Sequence, residues 1–153
     1  VRITGDCPLV DPDTIDEVVG RVINGNAEYA ANITERTFPR GLDVEAFTFG
    51  SFERVHEEAT EPHHREHVTP YYGEDPDRFT TESVVSADVF DEPQFQNRDD
   101  LRLTLDEADD YEVLRKIYEN VPFDHILPTR EAIRYADEND LMSLNSTVEQ
   151  KTH

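Results

Sequence analysis

Short apolar runs alternate with stretches of helical periodicity along this chain, and that alternation restricts the folds open to it. The runs Val1–Gly5 and Glu28–Asn32 predict two strands. Between them, Asp11-Pro12 predicts the start of a helix, with an N-cap followed by proline at the first helical position. Five apolar residues then recur at i, i+3, i+4, i+7 and i+8: Ile15, Val18, Val19, Val22 and Ile23. Strands that alternate with helices favour an α/β domain with a mostly parallel, mixed sheet.

The same signals predict the remaining elements. In chain order we expect a strand over Val44–Phe49, a helix capped by Ser51, a helix from Pro62 to about Pro70, one or two strands within Phe79–Val89, a strand over Leu101–Leu105, a helix from Ala108 whose Tyr111, Leu114 and Ile117 lie in the core, and a helix over Thr129–Asn139. We expect one domain over residues 1–142, followed by a polar, extended segment over 143–153.

The charge balance restricts the partners of the protein. The chain has 35 acidic and 14 basic residues, a formal net charge of −21, and only Lys116 and Lys151 as lysines. So acidic a chain repels nucleic-acid phosphates, so we expect no nucleic-acid partner. The carboxylates are spread along the whole sequence and lysine is scarce, which favours a halophilic protein over an ordinary acidic one, since high salt screens the self-repulsion.

The sequence also bears on the cellular location of the protein and on whether its domain is truncated. Cys7 is the single cysteine, and no apolar run reaches the roughly 18 residues of a membrane span. We therefore expect a reducing, cytoplasmic location without membrane contact. The chain opens directly on an apolar strand, so we expect an N-terminally truncated domain, and a homodimer could cover the surface that truncation leaves open.

Two aspartates directly follow predicted strands. Asp6 comes after Val1–Gly5, and Asp106 comes after Leu101–Leu105. Ligands of open α/β sheets bind at the carboxyl ends of strands, and Mg²⁺ is usually held there by one or two carboxylates with phosphates and waters. The alternative is that each aspartate merely caps the loop or helix that follows it.

Four blocks of sequence resemble one known family. They are Arg2-Ile3-Thr4-Gly5-Asp6-Cys7-Pro8-Leu9-Val10-Asp11-Pro12, Glu35-Arg36-Thr37-Phe38-Pro39-Arg40-Gly41-Leu42-Asp43-Val44-Glu45, Arg65-Glu66-His67-Val68-Thr69-Pro70-Tyr71 and Leu101-Arg102-Leu103-Thr104-Leu105-Asp106-Glu107. In this order they resemble the spore-coat polysaccharide biosynthesis branch of the cytidylyltransferases, relatives of the acylneuraminate and 3-deoxy-manno-octulosonate enzymes.

The resemblance implies a nucleotide-diphospho-sugar transferase-like α/β sandwich and a nucleotidyltransferase activity. A sugar or sugar-acid hydroxyl would attack the α-phosphorus of CTP, and pyrophosphate would leave. Asp6 matches the metal-binding aspartate of the family and Asp106 its second acidic position, so the resemblance implies Mg²⁺ as cofactor. The family's phosphate-binding loop is not found in this sequence. We therefore expect weak or no activity from this chain alone, and a non-catalytic sugar- or nucleotide-binding module is the main alternative.

Three weaker candidates for the sugar side are Arg40, Asp43 and Glu66. The Arg40 guanidinium could pair with a sugar carboxylate or a phosphate, or with a nearby aspartate in a local pair that stiffens the loop. Glu66 belongs to one of the recurring blocks and could face the sugar.

A motif of a different enzyme class lies in the same region. His63-His64-Arg65-Glu66-His67 has the H-x-x-E-H pattern of inverted zinc peptidases, in which His63 and His67 would bind Zn²⁺ from one helix face. No third ligand is marked downstream, so a solvated helix start is the competing interpretation.

Overall fold

The computed structural model describes residues 1–74 and 77–148. The helices in these ranges are α1 (Pro12–Ile23), α2 (Phe49–Glu58), α3 (Pro62–His67), α4 (Tyr71–Glu74), α5 (Ala108–Asn120), α6 (Thr129–Glu138) and α7 (Met142–Asn145). The strands are β1 (Tyr29–Ala31), β2 (Glu45–Phe47) and β3 (Thr81–Ser83), and two 3₁₀ helices cover Ser86–Asp88 and Pro93–Phe95.

The three strands form one mixed sheet in the order β2-β1-β3. Strand β1 runs antiparallel to β2 and parallel to β3. Both faces of β1 are covered: Ala30 packs into the main core with Val18 of α1, whereas Tyr29 packs with Tyr72 of α4 in a second, aromatic cluster. The predicted α/β architecture is confirmed, with helices on both sides of a mixed sheet.

Helix α1 forms at the predicted position, with the predicted N-cap and apolar face. The Asp11 carboxylate accepts a hydrogen bond from the backbone N–H of Thr14 at 2.9 Å, and Pro12 opens the helix. The buried side of the helix carries Val18, which is fully enclosed. A local cap and an apolar face therefore agree here, and the prediction from sequence is correct.

Two predicted strands are reduced to single bridges. Val1–Gly5 pairs only through Arg2, opposite Glu45, and Leu101–Leu105 pairs only through Arg102, opposite Arg40. The second segment lies between two loops, because Leu103 N–H donates to the Arg40 carbonyl at 2.8 Å and Leu105 N–H donates to the Asp6 carbonyl at 2.9 Å. Changing partners after two residues prevents a continuous ladder.

Three other boundaries differ from the prediction. Within Phe79–Val89 only Thr81–Ser83 is a strand, and a 3₁₀ turn follows. Helix α2 starts before Ser51, because Thr48 is its N-cap and accepts from the Ser51 N–H at 3.1 Å. The helix opened by Pro62 ends at His67, since Val68 has a φ of 70°.

The last third of the chain corrects two further expectations. Leu114 and Ile117 are buried as predicted, but Tyr111 is 54% exposed and is not a core residue. The expected boundary at residue 142 falls within α7, whose Asn145 is buried and donates to the Arg102 carbonyl at 3.0 Å. The 143–153 segment is thus helical at its start, and residues 149–153 lie outside the described ranges.

Candidate functional site

A cleft of about 350 Å³ lies where three segments meet, namely Val1–Gly5, Leu101–Leu105 and the loop that carries Arg40. Its lining comes from five separate parts of the chain: Arg2, Thr4, Asp6, Cys7, Ile33, Arg40, Gly41, Asp43, Glu45, His67, Thr104 and Asp106. Four of the five residues predicted for the site therefore line one cavity. Glu66 is exposed and is not among the lining residues, whereas its neighbour His67 is.

Asp6 and Asp106 are brought together by backbone contacts around residue 104. The Asp6 carbonyl accepts from the Leu105 N–H at 2.9 Å and from the Thr104 hydroxyl at 3.2 Å. Within residues 1–74 and 77–148 the Asp6 carboxylate has no hydrogen-bond or ion-pair partner. Its oxygens are therefore available to a ligand in the cleft.

Asp106 is oriented by a neighbouring arginine that also holds the start of α5. Its Oδ2 accepts from Arg102 Nη2 at 2.7 Å, and the same guanidinium donates from Nε and Nη2 to Asp110, both at 2.9 Å. Asp110 has a fully buried side chain. It also accepts from Asn145 and from the backbone N–H of Asp106 and Glu107. Burial alone would raise the pKa of Asp110, but these hydrogen bonds outweigh it and hold the pKa below its ordinary value.

The loop that carries Arg40 needs a glycine at the next position. Gly41 has a φ of +94°, and a Cβ built there would lie 2.4 Å from the Thr104 backbone nitrogen. Arg40 itself is fixed on both sides, donating its N–H to the Leu101 carbonyl at 3.0 Å and accepting from Leu103. This close approach of two backbones forms one wall of the cleft.

The local arginine–aspartate pair expected near Arg40 is made by Arg36 instead. Arg36 donates from Nη1 and Nη2 to the two oxygens of Asp43, at 2.6 and 3.3 Å. Arg40 has no side-chain partner in the described part of the chain. A guanidinium that faces a cleft without a carboxylate partner is suited to binding an anionic group of a ligand.

A second buried network in the cleft wall was not foreseen from the sequence. Glu45 is 2% exposed, and it accepts from Tyr29 Oη at 2.6 Å and from the Arg2 guanidinium. Burial and the adjacent Glu45 charge raise the pKa of Tyr29, so its hydroxyl remains protonated and donates. The signal available in the sequence was one acid within the apolar run from Val44 to Phe49.

Cys7 and His67 complete the lining. Burial raises the pKa of the Cys7 thiol, and the thiol lies 3.4 Å from the Thr4 hydroxyl. Cys7 is 6% exposed, so this small thiol is buried in the cleft wall. His67 reaches the cleft from the end of α3, while His63 turns to Glu74 at 2.9 Å. The two end histidines of the H-x-x-E-H pattern thus lie in different surroundings, which disfavours a Zn²⁺ ion shared by His63 and His67.

The fold and the cleft define an α/β protein with acidic and cationic groups around one ligand-sized cavity. A family model described as cytidylyltransferase matches residues 1–136, and the chain belongs to that family. A solved cytidylyltransferase from Leptospira borgpetersenii serovar Hardjo-bovis superposes with a TM-score of 0.78 and 28% identity, over 99% of this chain and 60% of that one.

Two curated proteins are similar in sequence. An uncharacterized protein of Methanocaldococcus jannaschii is 33% identical over 155 residues, which is 100% of this chain and 59% of that protein. The spore coat polysaccharide biosynthesis protein SpsF of Bacillus subtilis is 28% identical over 119 residues, 78% of this chain and 46% of that protein. The chain thus spans about half to three fifths of the length of these relatives. None of the described helices is long and apolar enough to cross a membrane.

Proposed function

We propose that this chain carries the sugar side of a nucleotidyltransferase site that moves a cytidylyl group from CTP to a sugar or sugar-acid hydroxyl. The hydroxyl oxygen forms a bond to the α-phosphorus and gives up its proton to solvent, the bond from that phosphorus to the bridging oxygen breaks, and pyrophosphate leaves. The family membership supports the reaction class, and the relatives include a protein of spore coat polysaccharide biosynthesis. Polysaccharide or glycoconjugate precursor synthesis is the process that we propose for it.

The state of the arginines is the observation that carries this proposal. The chain has twelve arginines. Among the described residues ten form salt bridges with acidic side chains, and Arg65 contacts the ring and carbonyl of His56. Arg40 is the remaining one, and it lines the cleft. In a protein of net charge −21, an arginine left without a carboxylate at a cavity wall favours an anionic substrate group there.

The acidic residues of the cleft are suited to binding a metal ion. Carboxylate oxygens are the donors that Mg²⁺ prefers, and Asp6 and Asp106 present them at one cavity, with the Asp6 oxygens unpartnered in the described ranges. We propose that these two residues hold Mg²⁺, which when bound would offset charge on the triphosphate and leaving pyrophosphate. Arg102 would keep the Asp106 carboxylate directed at the cleft, and Arg36 would do the same for Asp43.

Calorimetry with CTP tests the proposal. CTP should bind the wild-type chain in the presence of Mg²⁺, and Asp6→Ala should weaken this binding at least about tenfold, as expected for loss of one of the few ligands of the ion. Asp16→Ala is the matched control, because Asp16 is an exposed acid on α1 outside the cleft. Binding of CTP that is unchanged by Mg²⁺ and by Asp6→Ala would contradict the nucleotidyltransferase assignment, and sugar binding indifferent to metal would favour the non-catalytic module.

The anionic group at Arg40 has its own test. A sugar acid should bind more tightly than the matching neutral sugar. Arg40→Ala should reduce this preference about tenfold or more, since charge-assisted hydrogen bonds contribute about 1.5–3 kcal/mol. Arg134→Ala is the control, because Arg134 pairs on the surface with Glu131. An unchanged preference in Arg40→Ala would assign Arg40 to a structural role.

The homodimer remains a prediction. Around α5, Leu105, Tyr111 and Tyr118 are 41%, 54% and 38% exposed and lie along one groove. We propose this apolar surface as the interface of such a dimer. Sedimentation of the wild type and Tyr111→Glu would test it, with a monomeric wild type as the contradicting result.

A further inference from the structure

A group of metal-ligating side chains lies outside the cleft, at the junction of α3 and α4. His63 and His64 are adjacent at the start of α3, and Glu74 ends α4. Among residues 1–74 and 77–148, these are the three residues whose possible ligand atoms converge, all within 4.8 Å of one another. The two rings are tilted against each other with centroids 4.0 Å apart.

Both imidazoles point the same nitrogen at one carboxylate oxygen. His63 Nε2 lies 2.9 Å and His64 Nε2 lies 2.7 Å from Glu74 Oε1. In a tetrahedral site with bonds of about 2.0–2.1 Å, ligand atoms are separated by about 3.3 Å. The Glu74 side chain is 45% exposed, so it is free to withdraw by the few tenths of an ångström that would admit an ion.

The chemistry of the three ligands selects the type of ion. Two neutral imidazoles and one carboxylate suit zinc and similar first-row transition metals, whereas Mg²⁺ prefers oxygen donors. His63 and Glu74 are 53% and 45% exposed, so an ion can reach the group from solvent.

We propose that His63, His64 and Glu74 form a binding site for a single divalent transition-metal ion, with Zn²⁺ as its representative. The ion takes the place of the two Nε2 contacts with Glu74, each neutral ring then carries its single proton on Nδ1, and the ion joins α3 to α4. Since His67 at the end of α3 lines the cleft, the ion also fixes the helix that carries this residue. The proposal concerns a site separate from Asp6 and Asp106, and it does not depend on the reaction assigned to the cleft.

The surroundings of His64 set the expected strength of binding. The residue is 5% exposed, and its Nδ1 has no hydrogen-bond partner within the described ranges. Coordination through Nε2 leaves the ring proton on Nδ1, where most metal-binding histidines have an acceptor. We therefore expect an affinity about 10- to 100-fold below that of a site with supported histidines.

Titration of the full chain with Zn²⁺ tests the proposal. Untagged protein stripped with a chelator should bind one Zn²⁺ per chain, and Zn²⁺ should raise the thermal unfolding midpoint. His63→Ala and Glu74→Gln, both at exposed positions, should each weaken binding at least about tenfold. His125→Ala is the matched control, because this histidine is 90% exposed beside Asp124 and belongs to no converging group in the described residues.

Three results would contradict the proposed metal site. Absence of saturable Zn²⁺ binding, or binding of unchanged strength in either His63→Ala or Glu74→Gln, overturns the site. An excess of Mg²⁺ should leave Zn²⁺ bound, and displacement by Mg²⁺ would equally overturn the assignment, because it would indicate an oxygen-ligand site.

Discussion

Removal of the buried carboxylate of Asp110 is the perturbation whose effect the structure specifies most fully. Five donors converge on this side chain: two from Arg102, one from Asn145, and the backbone N–H groups of Asp106 and Glu107. The amide oxygen of Asp110→Asn accepts at most two hydrogen bonds. At least three donors lose their acceptor, and the Arg102 guanidinium, 12% exposed, loses its ion pair with Asp110 while its pair with Asp106 remains.

The expected cost follows from these losses. Breaking a buried ion pair by removing one partner typically costs about 3–5 kcal/mol. Because Asp106 still neutralises part of the Arg102 charge, we expect the lower end, about 3 kcal/mol. For a chain of this size that corresponds to a fall of about 6–12 °C in the unfolding midpoint. Thermal and urea unfolding at pH 7 measure both quantities.

The loss of stability caused by Asp110→Asn should become smaller as the pH falls. The folded-state pKa of Asp110 lies below the ordinary value of 3.8. The native protein therefore binds fewer protons there than the unfolded chain, and the contribution of the carboxylate is complete above about pH 4. It declines as the pH falls further toward the folded-state pKa, so the difference between wild type and Asp110→Asn should narrow in acid.

A substitution on the same helix provides the control. Glu112→Gln removes an exposed carboxylate that pairs with Arg115, and its effect on the midpoint should be negligible. A loss in Asp110→Asn of less than about 1 kcal/mol, a loss of equal size in Glu112→Gln, or a difference that does not shrink below pH 4 would refute the argument.

Two further predictions concern the cleft wall and the surface charge. Gly41→Ala should destabilise the fold by at least about 2 kcal/mol, because its φ of +94° and its contact with Thr104 both oppose a side chain. Gly50→Ala, where nothing lies within 4 Å, should be neutral or slightly stabilising, and equal midpoints for the two variants would disprove the backbone argument. If the protein is adapted to high salt, its unfolding midpoint should rise between about 0.1 and 1 M KCl as the net charge of −21 is screened; a flat or falling midpoint would contradict that adaptation.

Helices were the best predicted part of this protein because their signals are local. The Asp11 cap and the apolar spacing of α1 lie within one short segment, and the structure confirms both. Strands were predicted less well, since pairing depends on partners far along the chain. Leu101–Leu105 has strand-like alternation, yet it bridges to Arg40 and then to Asp6 and forms no ladder.

The sequence by itself determined the α/β class, the family and the residue types of the cleft, because caps, periodicity and the four resembling blocks are all read along the chain. Only the tertiary structure decided which charged groups are paired and which are free. It assigned Arg36 to Asp43 and left Arg40 facing the cleft, and it joined His63 to Glu74 while His67 turned to the cavity. The physical reason is that an ion pair depends on distances of a few ångströms between side chains, and sequence spacing does not fix these when the partners lie on different elements.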